Sequence, residues 1–437
     1  MATKNIVKDP VKMMAAFSQS LKGTEYEGII PEPKLSNLRE IGDTLYNYKP
    51  LMNQFINNLV NTVAFMVVKK MYYTNPFGFA KRGLVPYGTT IEDIWVDICK
   101  AHPYTADQLG RPSTMLEAEL PDIKSAFHYR NRQEFFKQTI TYDDLRGAFY
   151  NENGLDSLTS RIIDGMYTSN DVTEFVYSLA EISLALNKGQ IKLIKVTMPE
   201  DQTTSESFLV TARVVSNSFL FPSRKYNAMG VMNTSSRDNQ RVWLTPAADA
   251  NISVTALAYA FHMDEASLIG KITLIPEIPG HPEIIALITD DEFLNIYDNL
   301  FESDTFWNPE GRDWNYWLHV WQFYFISPFH NAVALTTGDV PTVADVTINA
   351  TDGNTYTAGM SKQLTVTVTG DNNPSQSGLW SVSGATSTMT SINEFGILQT
   401  GVDETGNLTV TFTPFSDNSK IGTLQLTPAV KTSTNNQ

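Results

Sequence analysis

The feature that most constrains the fold is an abrupt change of sequence character at residues 338–342. From Thr342 to Thr434 the chain has 20 threonines and no histidine. Gly, Asn and Asp separate five alternating stretches, at residues 346–348, 363–368, 379–382, 407–412 and 422–426. A period of two predicts strands with one buried face. Several such strands, spaced by about 8–15 residues, predict a separate antiparallel β-sandwich. Trp380 is its predicted core anchor.

The composition limits the classes of protein that this chain can be. Its 437 residues predict about two to four domains. With 42% hydrophobic and 18% charged residues, the chain is not disordered. The net charge of −15 argues against nonspecific binding to nucleic acid phosphates. The single cysteine, Cys99, excludes an internal disulfide and is predicted to be a buried apolar side chain.

Nothing in the sequence predicts contact with a membrane. The N-terminal ten residues lack the apolar segment of a signal peptide. Residues 51–68 and 314–338 are uncharged, but the first stretch is rich in amides and the second contains proline, histidine and asparagine. Because these residues do not suit a hydrocarbon environment, both stretches are predicted to be buried elements of a soluble protein.

The region before the sequence change predicts a mixture of helices and strands. Apolar residues spaced three and four apart predict a helix that begins at a capping box, Asp171 to Glu174, and ends at Gly189. An earlier helix is predicted at residues 155–166, and a short one at 291–301 after the acidic pair Asp290 and Asp291. Strands are predicted at residues 191–198, 283–288 and 314–326.

The strand predicted at residues 314–326 is unusually rich in aromatic residues. Trp314, Tyr316, Leu318 and Val320 share one face, and Trp317, His319 and Trp321 share the other. Two apolar faces predict a strand that is covered on both sides, with His319 as a hydrogen-bonded core histidine. A carbohydrate-binding platform of stacked aromatic rings is the alternative.

Residues 84–140 predict an arm that projects from the body of the protein. In residues 91–98, Ile94, Val96 and Ile98 fall on one face, opposite Asp93, Trp95 and Asp97. A second extended run follows at 123–128 and precedes a polar cluster at 129–134. Because two strands are unstable alone, we expect the arm to rest on another subunit.

Three residues are candidates for that contact between subunits. Arg130 and Arg132 are predicted to pair with acids of the neighbouring subunit, and Trp95 is the third candidate.

The sequence predicts no catalytic residue, cofactor site or metal site. It contains no glycine-rich phosphate loop, HExxH, GxSxG or EF-hand pattern, and its six histidines are scattered. The acidic run at residues 298–304 lacks the spacing of a calcium site, so a solvated helix end is the preferred interpretation.

Several segments together resemble the major capsid proteins of short-tailed phages of the phi-twenty-nine type. The matching segments run in the family's order over residues 75–341: Gly88-x-Thr-Ile-Glu-Asp-Ile94, Phe127-His-x-Arg-Asn-Arg-Gln133, Gln138-Thr-Ile140, Tyr297-Asp-Asn-Leu300, Asn308-Pro-x-Gly311, Trp314-Asn-Tyr316, His319-Val-Trp321, Asn331-Ala-Val-Ala334 and Gly338-Asp-Val-Pro341.

The resemblance implies an α+β fold, the tailed-phage (HK-ninety-seven-like) capsid fold, with a C-terminal immunoglobulin-like (bacterial group 2) β-sandwich. It divides the chain into an N-terminal arm and the start of a peripheral domain at 1–83, an extended E-loop at 84–140, a peripheral domain with a spine helix at 141–198, an axial domain at 199–282, a return to the peripheral domain at 283–341, and the immunoglobulin-like sandwich and tail at 342–437.

The function that the resemblance implies is structural rather than enzymatic. The chain would assemble with itself into hexamers and pentamers of a phage head, and its other protein partners would be a scaffolding protein and a portal. The shell would enclose double-stranded DNA without binding it sequence-specifically. The protein would be made in the bacterial host cytoplasm and reside in the virion capsid.

Two alternative functions come from different classes of protein. A surface adhesin or fibre with an immunoglobulin-like tip would carry a secretion signal or repeated β-domains, and neither is evident. A glycoside hydrolase with an appended β-module would need a pair of acids in an aromatic cleft, and no pair stands out.

Overall fold

The computed structural model describes residues 10–22, 30–47, 75–86, 88–99, 123–141, 154–252 and 272–429, with a few isolated residues between them. The fold is mixed α and β, and most of its elements are strands. The chain forms two compact units. The first comprises Met1–Thr90, Tyr129–Ser178 and Ile296–Tyr324, and the second comprises Ile91–His128, Leu179–Asn295 and Phe325–Gln437.

The helices and strands are numbered in chain order. The helices are α1 (Pro10–Ser20), α2 (Leu38–Asn47), α3 (Gly154–Asn187), α4 (Gln202–Ser218) and α5 (Pro246–Asn251). Strands before the sequence change are β1 (Lys81–Leu84), β2 (Ile91–Val96), β3 (Ile123–His128), β4 (Arg132–Thr141), β5 (Lys192–Lys195), β6 (Gln240–Leu244), β7 (Ile272–Leu274), β8 (Ile284–Asp290), β9 (Leu294–Asn308), β10 (Asp313–Ile326) and β11 (Ala332–Thr336). Those after it are β12 (Asp345–Ala350), β13 (Thr355–Tyr356), β14 (Ser361–Thr369), β15 (Gly378–Ser383), β16 (Ser391–Ile392), β17 (Ile397–Gln399), β18 (Leu408–Pro414) and β19 (Gly422–Pro428).

Helix α3 is continuous over 34 residues, so the prediction of two helices is wrong. Asp171 and Glu174 do not cap a helix; they lie within α3 and are buried. The predicted end is confirmed, because Gly189 adopts φ +71°, a conformation that terminates a helix at little cost to glycine.

The first unit is built on a four-stranded sheet in the order β1-β9-β10-β4. Strand β9 occupies the segment predicted as a helix at 291–301, and that prediction is wrong. The Asp290 carboxylate accepts from the backbone N–H of Glu292 and forms a turn, and β9 then gains hydrogen-bonded neighbours on both sides. The acidic run 298–304 therefore lies in a strand and not at a helix end. Long-range pairing has overridden a local helix signal.

Strand β10 is confirmed, and it pairs antiparallel with β4 from Asp313 opposite Thr141 to Gln322 opposite Arg132. Trp314, Tyr316, Leu318 and Val320 are fully buried against α1, α2 and α3. The opposite face is only half-buried, so the prediction of two covered faces holds for one of them. His319 is not a core residue, because its side chain is 32% exposed and lies 3.6 Å from Asp304.

The second unit contains a five-stranded mixed sheet in the order β5-β11-β8-β6-β7. Every residue of β8 and β11 is buried. Helix α4 packs Phe208, Ala212 and Val215 onto this sheet. Its N-terminus has a capping box in which the Asp201 carboxylate accepts from the N–H of Thr204.

The C-terminal region forms two four-stranded sheets, β12-β14-β17-β16 and β13-β19-β18-β15. They enclose a core that includes Leu364, Leu398, Val410 and Phe412. All five alternating segments named in the sequence analysis are strands, and Trp380 packs on Phe412 with ring centroids 4.8 Å apart. We call this region, residues 345–428, the C-terminal sandwich.

Candidate assembly surface

Strands β2 and β3 form a two-stranded antiparallel ribbon within the predicted arm. Its register runs from Ile91 opposite His128 to Val96 opposite Ile123. Side chains of a strand alternate between its two faces, so one face of this ribbon carries Asp93, Trp95, Lys124 and His128. We call this the inner face, because every one of these side chains is partly buried.

The inner face is anchored by aromatic contacts to the segment after β10. The indole of Trp95 stacks on Phe329 with centroids 6.2 Å apart, and the imidazole of His128 stacks on Phe325 at 3.8 Å. Between them, the hydroxyl of Ser327 donates to the Asp93 carboxylate over 2.5 Å. Burial lowers the pKa of His128 to about 4, so its ring is neutral at physiological pH.

Two polar contacts extend the anchor toward the end of the ribbon. The Arg224 guanidinium lies 2.5 Å from the Asp97 carboxylate, which is almost fully buried. Burial alone would raise the pKa of Asp97, but hydrogen bonds from the Ile98 N–H and from Arg224 outweigh it and lower the pKa. The ammonium of Lys124 donates to the carbonyl of Met229 over 2.9 Å.

The outer face of the ribbon is apolar and exposed. Ile94, Val96 and Ile123 are 53%, 56% and 57% exposed, and Phe127 is 55% exposed. Val96 and Ile123 are cross-strand partners, so their side chains adjoin on this face. A contiguous apolar patch on a surface marks a site of interaction with another molecule.

The structure places the first arginine candidate, Arg130, at the surface of the first unit. Its guanidinium stacks over the Trp321 ring at 4.4 Å and donates to the Asn299 side chain over 2.8 Å. Its side chain is half-buried.

The second arginine candidate, Arg132, is fully buried in a polar network of its own chain. Its guanidinium donates to the side-chain oxygens of Glu134 over 2.9 Å and Gln322 over 2.5 Å. The hydroxyl of Tyr324 also donates to the Gln322 oxygen, over 2.7 Å. The acid that pairs with Arg132 here therefore belongs to its own chain, and the predicted pairing with another subunit stays a prediction for Arg130 and Arg132 alike.

The same network continues to Glu174 on helix α3, a residue that the sequence analysis placed in a helix cap. The Gln322 amide N–H donates to the carboxylates of Glu174 over 2.7 Å and Asp298 over 2.6 Å. The Lys81 ammonium lies 2.8 Å from Glu174. Burial alone would lower the pKa of Lys81, but Glu174 and Asp298 raise it, so the lysine is charged.

The three predicted contact residues are divided between the two units. Arg130 and Arg132 lie in the first unit, and Trp95 lies in the second, where it packs on its own chain. The arm's outer face was visible in the sequence as an alternation, but the anchoring residues Arg224 and Phe329 were not. Cys99, predicted to be buried, is exposed just beyond the ribbon, because the chain leaves β2 at Val96.

Neither a metal site nor a membrane helix is found where side chains are described. Within those residues, no three His, Cys, Asp or Glu side chains are grouped to hold a metal ion. No helix there is long and apolar enough to span a bilayer.

Comparison with known proteins gives consistent matches to phage capsid proteins. A family model described as "Phi29-like phage major capsid protein" matches residues 16–336. The major capsid protein of Bacillus phage B103 is 33% identical over 389 residues, which cover 88% of this chain and 86% of that protein. The major capsid protein of Bacillus phage PZA is 31% identical over 392 residues, covering 89% and 86%.

Among solved structures, the capsid of Staphylococcus phage Andhra matches with a TM-score of 0.49 and 15% identity, covering 63% of this chain and 87% of that chain. The assignment rests on the sequence matches, which span most of both proteins and confirm the family and function that the sequence resemblance implied. Neither the adhesin nor the glycoside hydrolase is supported. The chain belongs to the Phi29-like phage major capsid protein family, and it is the structural protein from which a phage head is built.

Proposed function

We propose that the outer face of the β2–β3 ribbon is the surface through which one copy of this chain packs on the next in hexamers and pentamers of the shell. The observation that carries this proposal is the difference between the two faces. The inner face is held by its own chain, whereas Ile94, Val96, Ile123 and Phe127 are each more than half exposed. In a major capsid protein, a second copy of the same chain is the partner available to cover them.

The magnitude of the apolar contribution is sufficient to influence assembly. Fully burying an exposed Val or Ile side chain contributes about 1.5–3 kcal/mol, so covering the exposed half of each of these side chains contributes about half of that. A shell repeats the contact at every subunit. Arg130 is half-buried, whereas Arg132 is fully buried. Arg130 is therefore the better placed of the two arginines to pair with an acid on a neighbouring subunit.

The remaining parts of the proposal concern the fold and its other partners. The tailed-phage capsid fold is supported by the long helix α3, which suits the spine helix, and by the extended ribbon, which suits the E-loop. Two packed four-stranded sheets suit an immunoglobulin-like sandwich, and the family model ends at residue 336, before these sheets begin. Under this proposal the axial domain lies in residues 199–282.

The net charge suits a container for DNA. With a charge of −15, the protein repels the packaged polymer on average, and DNA is enclosed without sequence-specific contacts. A scaffolding protein and a portal complete the set of partners in this proposal.

A charge-balanced double variant tests the ribbon surface. Val96→Lys with Ile123→Glu replaces two of the four side chains of the apolar patch, and the opposite charges still favour the cross-strand pair. We expect a folded chain whose contact between subunits is weakened about tenfold for each 1.4 kcal/mol lost. Electron microscopy would then count fewer shells than for the parent chain.

The matched control is Val402→Lys with Ile421→Glu, two residues of the C-terminal sandwich that are 85% and 60% exposed. The control is expected to form shells at the normal yield. Normal yields from the ribbon variant, with its ribbon still folded by hydrogen exchange, would overturn the proposal.

A further inference from the structure

One loop of the second unit contacts both the ribbon and the C-terminal sandwich. We call residues 224–230, between α4 and β6, the bridging loop. We propose that the C-terminal sandwich positions the β2–β3 ribbon through this loop, with Asn418 as the positioning residue. The sandwich would then take part in shell assembly. The effect of this positioning on assembly rests on the function proposed above for the ribbon's outer face.

On the ribbon side, both ends of the bridging loop make contacts. At its start, the Arg224 guanidinium holds the buried carboxylate of Asp97, and its other terminal nitrogen donates to the carbonyl of Gly230 over 3.0 Å. Near its end, the carbonyl of Met229 accepts from Lys124. Since Asp97 follows β2 and Lys124 lies in β3, the loop contacts both strands of the ribbon.

On the sandwich side, a single side chain spans the same loop. The amide nitrogen of Asn418, in the connection between β18 and β19, donates to the carbonyls of Arg224 over 3.2 Å and Asn227 over 3.1 Å. Its amide oxygen accepts from the Lys192 ammonium over 3.3 Å. Lys192 also donates to the carbonyl of Phe415. Asn418 is thus fixed by β5 while it holds the loop.

The connection between β18 and β19 packs closely against two glycines, Gly230 and Gly189. A Cβ atom on Gly230 would lie 3.2 Å from the Asn418 amide nitrogen, and one on Gly189 would lie 3.2 Å from the Cβ of Ser416. Both glycines have φ between +61° and +71°, which side chains rarely adopt. The connection from residue 415 to 418 therefore packs closely against both glycines, and a side chain at either one would push it away by a few tenths of an ångström.

Hydrogen bonds inside the bridging loop connect its sandwich side to its ribbon side. The side chain of Asn227 is fully buried and bonds both the N–H and the carbonyl of Val231, over 2.9 Å and 2.8 Å. The N–H of Met229 donates to the carbonyl of Pro328, beside the aromatic residue that stacks on Trp95. Loss of the Asn418 bonds would therefore loosen the segment that holds Arg224 and Met229.

The test is hydrogen exchange on free, unassembled subunits of the full chain, because this readout does not depend on shells. Asn418→Asp keeps an oxygen for Lys192 but removes the donor to the two carbonyls. Asn418→Ala removes both functions. We expect both variants to speed amide exchange in residues 91–96 and 123–128 about tenfold, which corresponds to about 1.4 kcal/mol of lost local stability. Exchange in β18 is expected to stay as in the parent chain.

The matched control is Asn407→Ala, at an exposed position elsewhere in the sandwich, which should leave ribbon exchange unchanged. Unchanged ribbon exchange in Asn418→Asp would overturn the inference, even if exchange in the bridging loop itself rises. Failure of the Val96→Lys, Ile123→Glu variant to reduce shell yield would instead count against the ribbon's outer face as the assembly surface, so the two failures are distinguishable.

Discussion

Two buried glutamates, one in the first unit and one in the C-terminal sandwich, are stabilised in opposite ways. Glu174 is paired with a cation, Lys81, and with the amide of Gln322, which come from distant parts of the chain. Among the described residues, Glu404 pairs with no cation. Its carboxylate accepts from groups between residues 386 and 406: the N–H and hydroxyl of Thr386, the N–H of Ser387, the hydroxyl of Thr390 and the N–H of Gly406.

Because their partners differ, Glu174 and Glu404 hold together different parts of the molecule. The Glu174 network joins α3, β9 and β10 with Lys81 of β1 and Arg132 of β4, so its loss affects a whole unit. The Glu404 cradle joins two neighbouring loops, and its loss affects one end of a sandwich that has its own apolar core. Leaving a buried charge without its partners is strongly destabilising. One substitution in either network should therefore destabilise the region that this network holds together.

The largest expected effect comes from reversing the charge of Arg132. Arg132→Glu places an acid beside Glu134 and Gln322, in a network that already holds Glu174 and Asp298. Removal of one partner from a buried ion pair costs about 3–5 kcal/mol, and reversal costs at least as much. We expect the first unit to unfold or the chain to be insoluble, measured by urea unfolding and by exchange in β4 and β10.

Arg130→Glu is the matched control, because Arg130 precedes the same strand but is half-buried. It loses a cation–π contact with Trp321 and a hydrogen bond to Asn299, at a cost of about 1 kcal/mol. Reduced shell yield from this folded variant would support the predicted contact with a neighbouring subunit. Equal destabilisation by both variants would contradict the distinction between the buried and the surface arginine.

Much of the strand pattern could be predicted from the sequence, because alternation is a local signal. The five sandwich segments and β10 appear where their side chains alternate. The helix predicted at 291–301 failed because the pairing partners of β9 are distant in the chain. The capping box at Asp171 failed for the same reason, since Glu174 meets Lys81 and Gln322 instead of a helix end.

The candidate site was predicted only in part, for a related physical reason. The alternation in residues 91–98 separates the outer from the inner face, and burial agrees with that separation. The alternation does not show which of the two faces the rest of the chain covers. That depends on Arg224 and Phe329, which follow residue 98 by more than 120 positions in the sequence. Trp95 therefore looked like a contact residue, although it stacks on Phe329.

A smaller effect is expected from Glu404→Gln in the C-terminal sandwich. The glutamine amide group would face donors, so we expect a loss of about 2–3 kcal/mol that is confined to the sandwich. Burial alone would raise the pKa of Glu404, but the hydrogen bonds from Thr390 and Thr386 outweigh it and hold the pKa well below its ordinary 4.5. The charged form thus stabilises the fold above about pH 4.5, and this stability is lost as the pH falls further.

Hydrogen exchange in β18 against pH measures this prediction. In the parent chain, protection of β18 should fall below pH 4.5, and in Glu404→Gln this fall should be smaller because the titrating group is gone. Glu394→Gln, at an exposed turn of the same sandwich, is the control. A parent sandwich with equal protection at pH 6 and pH 3 would contradict the role of the cradle.

The smallest expected effect is a gain in stability from Asp171→Asn in α3, and it has the opposite pH dependence. Burial, together with the nearby charge of Glu174, raises the pKa of Asp171 from 3.8 to about 6, with Lys81 opposing. Because the folded pKa lies above the unfolded one, ionisation of Asp171 destabilises the fold as the pH rises from about 4 through 6. Asn has the same shape and no charge to bury.

We therefore expect Asp171→Asn to stabilise the first unit at pH 8 by on the order of 1–2 kcal/mol, with the gain shrinking through pH 6 and vanishing near pH 4. Urea unfolding of the full chain, followed by exchange in β10, would measure it, with Asp352→Asn at an exposed turn as the control. A gain of equal size at pH 8 and pH 4 would mean that helix propensity or packing, and not the buried charge, is responsible. In that case, the charged Asp171 carboxylate beside Glu174 would cost no stability. Glu174 and Glu404 would then differ only in how many distant elements of the chain each of them joins.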